Sequence, residues 1–239
     1  TPLNKLRIGY WNVNYINHQD KLTEIPQEMD NENLHILMLD ETHLHNGQVI
    51  DLSMFSDYHL FTVERNIDEK KGGGKMFIIN KKINYIRWSS NEVNKVAGKE
   101  SAWILVHGNK NVAINSTYMC HNNNSEESRS WNNAIYSQLD KDLIELRSAG
   151  YTPLIMGDFN GNIGSQPGDA EFLAPNYNGE LIKNFAQSNN LTIINTIPDL
   201  CQGKYTRFNK LHSSVLDYAF IGSESLEIIN YLFIDSLCE

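Results

Sequence analysis

Cysteine is scarce in this chain, and its few cysteines are poorly placed for a structural role. The 239 residues contain three, Cys120, Cys201 and Cys238. An odd number at such wide separations argues against a disulfide framework, and no pair has the spacing of a structural zinc site. We therefore expect the chain to fold in a reducing, interior compartment.

Long apolar runs are also missing. No run approaches the roughly 20 residues that a membrane-spanning helix needs, and Thr1 to Lys5 shows no signal-peptide pattern. Internal repeats, low-complexity tracts and linkers are absent from the sequence as well. We expect no membrane association, and a single domain over residues 1–239 with ample length for a sizeable core.

Basic residues are outnumbered by acidic ones. Lysine and arginine total 20 against 29 aspartates and glutamates, so the formal net charge is -9. This balance argues against a protein that holds nucleic acid by bulk electrostatic attraction. It does not argue against a nuclease, because a metal site is itself built from carboxylates and a local basic rim can still contact phosphates.

The most informative stretch runs from Leu154 to Gly164. An apolar run typical of a buried strand breaks at Gly157, and Asp158, Asn160 and a polar, glycine-rich loop follow. On an extended backbone, side chains two residues apart point to one face, so Asp158 and Asn160 could address a single substrate. The carboxylate can orient or deprotonate a water, and the amide can donate to a phosphoryl oxygen. The alternative is that both residues only build a turn.

Two earlier strands end in the same way. Residues 5–14 alternate apolar and polar side chains and finish with Asn12 and Asn14, while an apolar run over 34–39 delivers Glu41 two residues later. Hard divalent ions such as magnesium take carboxylate and amide oxygens, which makes Glu41 a candidate ligand. The alternative, a solvated loop acid, is the commoner role for an isolated glutamate.

Asp217 stands inside the otherwise apolar run Val215 to Ile221. A buried carboxylate is costly unless it has a partner, so its presence there favours a functional role over chance.

Hydrophobic patterning predicts many strands with a few helices between them. Helices are predicted over 19–29, where Pro26 would interrupt the helix, over 131–148, and from 178 to 186. Four strand-like runs between 76 and 118 predict an antiparallel meander. Further strands are predicted over 58–63, 191–196, 205–208, 215–221 and 228–234.

Five motifs together resemble the endonuclease/exonuclease/phosphatase superfamily, which includes deoxyribonuclease I and the apurinic/apyrimidinic endonucleases. In chain order they are Trp11-Asn12-Val13-Asn14, Leu39-Asp40-Glu41-Thr42-His43, Tyr118, Gly157-Asp158-Phe159-Asn160 and Ser214-Val215-Leu216-Asp217-Tyr218. The segment from Asn178 to Thr196, with Tyr205-Thr206 and Lys71 to Gly74, looks more specifically like the endonuclease domain of non-LTR (LINE-like) retrotransposons. The resemblance implies a four-layered α/β sandwich of two mixed, mostly antiparallel sheets flanked by helices.

The resemblance also implies roles for individual residues. Glu41, helped by Asn12, would bind a magnesium or manganese ion that neutralises the scissile phosphate. Asp158 would orient or activate the attacking water, and Asn160 would donate to a phosphate oxygen. Two further roles follow: Tyr118 would contact the phosphate, and Asp217 would orient a general-acid/base histidine. Residues expected to contact substrate are Asn14, Tyr205, Arg207 and Ser214.

The implied activity is an endonuclease that nicks double-stranded DNA to leave a 3′-hydroxyl and a 5′-phosphate. In a retrotransposon this 3′-hydroxyl primes reverse transcription, which implies a reverse transcriptase domain in the same polyprotein and action on nuclear DNA. Two alternatives remain: a different phosphodiesterase or phosphatase of the superfamily, and a catalytically degenerate nucleic-acid-binding module.

One feature departs from the family pattern. The family places a Ser-Asp-His near its C-terminus, after the Asp217 strand and one further strand, and this motif does not follow Asp217 here. We expect either a domain that lacks its final strand or a degenerate copy. Among the histidines, His43, His121 and His212 are candidates to replace the missing one, although their spacing favours none of them.

Overall fold

Two β-sheets form the centre of the fold, and strands from both sheets bring one of their ends to the same edge of the molecule. The computed structural model describes residues 5–16, 19–45, 53–64, 73–121, 125–165, 174–208 and 213–235. The first sheet has the strand order β1-β2-β4-β3, and the second has the order β5-β6-β7-β8-β13-β9. Each sheet is mixed, because β1 pairs with β2 and β7 with β8 in parallel, whereas the remaining pairs in these sheets are antiparallel.

The strands and helices have the following bounds. The first sheet comprises β1 (Ile8–Asn12), β2 (Ile36–Asp40), β3 (Tyr58–Val63) and β4 (Lys75–Asn80). The second comprises β5 (Tyr85–Trp88), β6 (Ser101–Val106), β7 (Val112–Tyr118), β8 (Thr152–Asp158), β9 (Leu191–Ile193) and β13 (Asp217–Gly222). The α-helices are α1 (Gln19–Asn31), α2 (Ala97–Glu100), α3 (Glu126–Ser148) and α4 (Tyr177–Ser188).

Two short strand pairs and three 3₁₀ turns complete the described structure. β10 (Cys201–Gln202) pairs in parallel with β14 (Leu232–Phe233), and β11 (Arg207–Phe208) pairs antiparallel with β12 (Ser213–Ser214). The 3₁₀ turns are Ser53–Phe55, Ile194–Thr196 and Ser223–Ile228.

Alternating side chains on the strands produce three apolar interfaces. In β2, Ile36 and Met38 lie in a cluster shared with Ile114 and Leu154 of the second sheet, so the two sheets pack face to face. Residues of opposite parity face outward: Leu37 joins the cluster under α1, and the outer residues of the second sheet pack against α3 and α4. The resulting order, helix, sheet, sheet, helices, is the predicted four-layered sandwich.

Three sequence-based expectations about elements are wrong in detail. The four-stranded meander is really three strands, β5-β6-β7, because β4 lies in the first sheet between β2 and β3. Both faces of β4 are buried, so it occupies an interior position and leaves no free edge for β5. Pro26 does not interrupt α1, which buries Ile25 and Met29 against the first sheet. The break expected at Gly157 is also absent, since β8 continues through it to Asp158.

Three boundaries also differ from the expectations. The run 191–196 is a strand only to Ile193, and the 228–234 segment begins at the last residue of a 3₁₀ turn and contains only the two-residue strand β14. The helix predicted from residue 131 begins at Glu126, because Ser125 caps it by accepting the backbone N–H of Ser128. None of the helices in the described ranges is long and apolar enough to span a bilayer.

Candidate active site

The candidate site is the polar end of the core between the sheets. Along β8 the inward-facing residues run Leu154, Met156, Asp158, and along β13 they run Ile221, Ala219, Asp217, so both strands change from apolar to acidic at the same end. Strand register brings these ends together, because Asp158 is the partner of Asp217 on β13 and of Tyr118 on β7. The predicted catalytic residues therefore share one edge of the second sheet.

The first sheet supplies the opposite side of this edge. Asn12 ends β1 in register with Asp40, and Glu41 follows directly after β2. The Asn12 amide donates to Asp158 Oδ2 at 3.1 Å, a contact that crosses from one sheet to the other. Five side chains consequently meet at one polar opening between the sheets, which we call the mouth, although they are up to 205 positions apart in the sequence. The residues of the mouth are Asn12, Glu41, Tyr118, Asp158 and Asp217.

Asp158 is held from two directions and is almost completely buried. It accepts from the Asn12 amide and, at 2.9 Å, from the backbone N–H of Asn160. Burial raises the pKa of the Asp158 carboxyl to about 7, and the negative charges of Glu41 and Asp40 add to the increase while the two hydrogen bonds oppose it. A carboxyl group in this state is suited to exchange a proton near neutral pH.

Asn160 reaches the site by a turn and not by an extended backbone. β8 ends at Asp158, and Asn160 has a φ of 44°, in the left-handed region. Its amide donates to the carbonyl of Met119 at 3.0 Å, and a carboxamide carries a second hydrogen that can donate to another oxygen. The two residues thus build a turn, as the second interpretation expected, and the turn places both of them at one edge of the sheet.

The same turn geometry occurs at the end of β1. The backbone N–H of Asn14 donates to Asn12 Oδ1 at 3.1 Å, and Asn14 has a φ of 41°. In each turn the side-chain oxygen of the last strand residue accepts the N–H two residues later, as Asx turns do. These turns fix the two side chains, Asn12 and Asp158, that hydrogen bond to each other across the sheets.

Glu41 and Tyr118 form the third part of the mouth. The Tyr118 hydroxyl lies beside the Glu41 carboxylate, and burial, followed by this negative charge, raises the pKa of Tyr118 well above its ordinary value. Glu41 itself is only partly buried, and its carbonyl accepts the N–H of Tyr15 at 2.8 Å. A half-exposed carboxylate held beside a neutral phenol hydroxyl can bind a cation and an anionic oxygen side by side.

Asp217 faces Asp158, and the charge of Asp158 disfavours ionisation of Asp217. Burial first, and then the charge of Asp158, raises the pKa of Asp217 well above its ordinary value. A hydrogen bond from Thr206 and the positive charge of Arg207 oppose this shift. Thr206 Oγ1 also accepts the backbone N–H groups of Leu216 and Asp217, at 2.9 and 3.2 Å, which fixes the start of β13.

Backbone strain is concentrated at this mouth. Seven non-glycine residues in the described ranges have positive φ, a conformation that is uncommon for L-residues and clusters at functional sites. Five of them are in loops at this end of the sheets: Asn14, Tyr15, Glu41, His43 and Asn160. The fold therefore constrains these loops tightly.

The predicted substrate-contacting residues lie around the mouth. Asn14 is exposed beside Asn12, and Arg207 and Ser214 are register partners in the β11–β12 hairpin that leads into Asp217. Tyr205 is exposed just before this hairpin, with Lys204 Nζ 5.4 Å from its ring centroid. The candidate His212 lies outside the described residues.

The two remaining histidine candidates do not pair with Asp217. The His43 ring packs edge-on against Tyr15 at 5.4 Å between centroids, and His121 is exposed beyond the end of β7. Within the described ranges, no histidine hydrogen bonds to Asp217.

A buried polar layer, which the sequence analysis did not predict, lies just below the mouth. It consists of Asp40, Lys75 and Ser116, with the Tyr10 hydroxyl at its edge. Lys75 was not identified, because a charged residue at the start of a strand is usually solvated and its partner Asp40 is 35 positions away in the sequence. Asn178 was also missed; it is buried and donates to the carbonyls of Asn160 and Cys120, so α4 supports the Asp158–Asn160 turn.

No group of three or more histidine, cysteine, aspartate or glutamate residues forms a ready-made metal cluster in the part of the chain that the structure describes. A cavity of about 130 Å³ beside β5 and β6, lined partly by Trp88 and Trp103, contains none of the site residues. The candidate site is instead the open edge, where acidic and amide oxygens from both sheets meet.

Comparison with known families agrees with this arrangement. The family model for the endonuclease/exonuclease/phosphatase family matches residues 9–234, which is almost the whole chain. The chain belongs to this family. Its members include nucleases and phosphatases, so membership establishes a hydrolase-type fold without choosing the substrate. No curated protein matches the chain significantly.

Solved structures show the same fold at low sequence identity. The endonuclease domain of TRAS1, a telomere-specific non-LTR retrotransposon, is 12% identical, with a TM-score of 0.64 over 94% of this chain and 86% of that one. The AP endonuclease LMAP from Leishmania major is 12% identical, with a TM-score of 0.65 over 91% and 79%. A 3′ phosphatase, NExo from Neisseria, bound to a product DNA hairpin, is 14% identical, with a TM-score of 0.62 over 92% and 88%.

Proposed function

We propose that this family member is a metal-dependent endonuclease that nicks double-stranded DNA. The observation that carries the proposal is the convergence of Asn12, Glu41, Tyr118, Asp158 and Asp217 on one edge of the sandwich. Acidic groups alone would repel a phosphodiester. An edge this rich in carboxylates therefore needs a bound cation before it can bind a phosphodiester. Structural neighbours that act on DNA support the choice of substrate.

Glu41 and Asn12 are the residues that would hold a magnesium or manganese ion. Both offer oxygen donors, which hard divalent ions prefer, and both sit on the ends of adjacent parallel strands. Burial first, and then nearby negative charge, raises the pKa values of Asp158 and Asp217. A divalent cation held by Glu41 and Asn12 would offset that charge, so the donor set fits such an ion. Such an ion, when bound, supplies positive charge that stabilises the transition state of phosphodiester cleavage.

The remaining residues have roles that their contacts support. Asp158, fixed by Asn12 and by the N–H of Asn160, orients the attacking water and accepts its proton. Asn160 and Tyr118 donate hydrogen bonds to the phosphate oxygens, where negative charge develops. Arg207 is near enough for its positive charge to act on Asp217, and its guanidinium can contact a neighbouring phosphate.

The cellular role that we propose is target-site nicking for a non-LTR retrotransposon. Nicking would leave a 3′-hydroxyl that primes reverse transcription by a reverse transcriptase domain of the same polyprotein, acting on nuclear DNA. The support is the similarity in fold to the TRAS1 endonuclease domain together with the sequence resemblance over Asn178 to Thr196.

A substrate panel tests the proposal. The protein is assayed with Mg²⁺, Mn²⁺ or EDTA on supercoiled plasmid, on a duplex with an abasic site, on a 3′-phosphorylated duplex and on RNA. We expect plasmid nicking that requires metal, with nicks that a DNA polymerase extends directly because they carry a 3′-hydroxyl. Cleavage confined to the abasic, 3′-phosphorylated or RNA substrate would replace this proposal with a different family activity.

A catalytically inactive nucleic-acid-binding module is the second candidate. The observation in its favour is that Asp217 has no histidine among its hydrogen-bonding partners within the described residues. It predicts that the protein shifts plasmid or duplex DNA in a gel with Ca²⁺ or Mg²⁺ and cleaves none of the four substrates. Metal-dependent nicking would exclude it.

A further inference from the structure

An ion pair lies buried between the sheets, one layer below the candidate site. Lys75 Nζ is 2.5 Å from Asp40 Oδ1, and the two side chains are 1% and 0% exposed. Ser116 Oγ donates to the same carboxylate oxygen at 2.8 Å, and the Tyr10 hydroxyl donates to Oδ2 at 3.0 Å. The Asp40 carboxylate thus has three donors, from both sheets.

Stability alone does not account for this pair. Removing two charges from water is costly, and well-packed apolar residues at such positions are often equally or more stabilising. The next inward-facing residues on the same strands are apolar: Met38 beside Asp40, Phe77 beside Lys75 and Ile114 beside Ser116. An apolar layer would therefore continue the core without interruption.

The position of the pair connects it to the candidate metal ligands. Asp40 is in register with Asn12 on β1 and with Lys75 on β4. It directly precedes Glu41, whose positive φ of 52° requires a well-fixed chain on both sides. Whatever fixes the Asp40 side chain therefore fixes the strand ends that carry Asn12 and Glu41.

Charge gives the pair a second effect on the site. Asp40 adds to the negative charge felt by Asp158 and Asp217, and the buried ammonium group of Lys75 neutralises it directly from below. Without Lys75, the Asp40 carboxylate would have no cationic partner, and its negative charge would lie below the three acidic side chains of the mouth, Glu41, Asp158 and Asp217.

We propose that Asp40 and Lys75 are positioning residues, which hold Glu41 and Asn12 in the arrangement that binds the divalent ion. This inference rests on the proposed function. It assigns to the pair a role in the geometry and charge of the site, beyond its contribution to folding.

The test compares charge removal at this pair with charge removal at a surface pair. The Asp40→Asn/Lys75→Met double variant removes both charges with little change in volume. The control is Lys110→Met/Glu227→Gln, an exposed ion pair at 2.7 Å. Three quantities are measured: the melting temperature, Mn²⁺ affinity from the paramagnetic resonance of free Mn²⁺, and the rate of plasmid nicking.

We expect the buried double variant to melt at or above the wild-type temperature while its Mn²⁺ affinity and nicking rate fall by about 10- to 100-fold, as for other groups that support metal ligands. The surface control should match wild type in all three quantities. A folded double variant with wild-type Mn²⁺ affinity would show that the pair is merely structural and would overturn the proposal.

A milder variant keeps the test decisive if the double variant does not fold. Ser116→Ala removes one donor to Asp40, and we expect a several-fold weaker Mn²⁺ affinity with melting close to wild type; unchanged affinity would overturn the proposal. Wild-type protein that binds Mn²⁺ but nicks no DNA would refute the proposed function alone, and the affinities would still decide the positioning role. Wild-type protein that binds no Mn²⁺ would refute both.

Discussion

Asp158 and Asp217 are register partners on antiparallel strands, and the pKa of each carboxyl group is raised, first by burial and then by neighbouring carboxylates. Ionisation of these two buried carboxyl groups, which belong to the candidate site, lowers the stability of the fold. A carboxyl group whose pKa is higher in the folded than in the unfolded state stabilises the fold fully below its unfolded pKa. That stability is lost as the pH rises through the folded pKa, here from about pH 4 to about pH 7 for Asp158.

The Asp217→Asn variant should therefore be more stable than wild type at alkaline pH. The substitution removes the charge repulsion with Asp158 and keeps an oxygen that can accept from Thr206. In EDTA at pH 8 we expect a higher melting temperature, by about 2–4 °C for each kcal/mol of repulsion removed, and a difference that shrinks toward pH 4. Equal melting temperatures at pH 8 would contradict the raised pKa values.

The sequence identified the mouth residues because each stands out against an apolar strand. Asp158, Glu41 and Asp217 were found in this way, and the structure brings them to one edge. It could not identify the Asp40–Lys75 pair, because a lysine beside a glycine-rich segment looks solvated until the register of β2 and β4 is known. Sequence periodicity predicts which face of a strand a side chain occupies, but the pairing of the strands determines which residues that side chain contacts.

At the scale of elements, the close approach of β7 and β8 sets the position of Asp158. A Cβ atom on Gly157 would lie 1.8 Å from the carbonyl oxygen of Thr117, its register partner on β7. This close approach of the parallel pair leaves no room for a side chain at position 157, directly before Asp158.

Gly157→Ala should destabilise the fold by about 3 kcal/mol or more, because the strands must separate to admit the methyl group. The matched control is Gly108→Ala, where the nearest atom to an added Cβ is at an ordinary 3.7 Å. Urea unfolding of the two variants gives the comparison. Equal stability of Gly157→Ala and wild type would show that β7 and β8 do not approach as closely as the structure indicates.

Most strands and helices were predictable from local pattern, whereas sheet membership was not. The run from 76 to 79 looks the same whether it pairs with β5 or with β2 and β3; burial on both faces places it inside the first sheet. Similarly, Pro26 suggests a helix break, but the burial of Ile25 and Met29 keeps α1 intact. In both cases tertiary packing overrides the local signal.

At the scale of the whole molecule, the site joins the two sheets, since Asn12 comes from one and Asp158 from the other. A divalent ion that binds there should stabilise the folded protein against unfolding of both sheets together. With Mg²⁺ at about tenfold its dissociation constant, we expect roughly 1.4 kcal/mol of added stability.

This stabilisation should depend on the carboxylate of Glu41. Thermal melts with Mg²⁺ and with EDTA should differ for wild type and for the exposed-acid control Glu227→Gln, and should coincide for Glu41→Gln. The same increase in melting temperature for Glu41→Gln and wild type would place the ion elsewhere in the molecule.

The central claim is that residues from both sheets form one metal-dependent nuclease site, and plasmid nicking by matched variants tests it most directly. Rates in Mg²⁺ are measured for wild type, Glu41→Gln, Asp158→Asn and the control Glu227→Gln. We expect wild type and the control to nick at the same rate, and the two site variants to be slower by roughly 100-fold or more. Nicking at the wild-type rate by both site variants, or unchanged nicking in EDTA, would contradict the account.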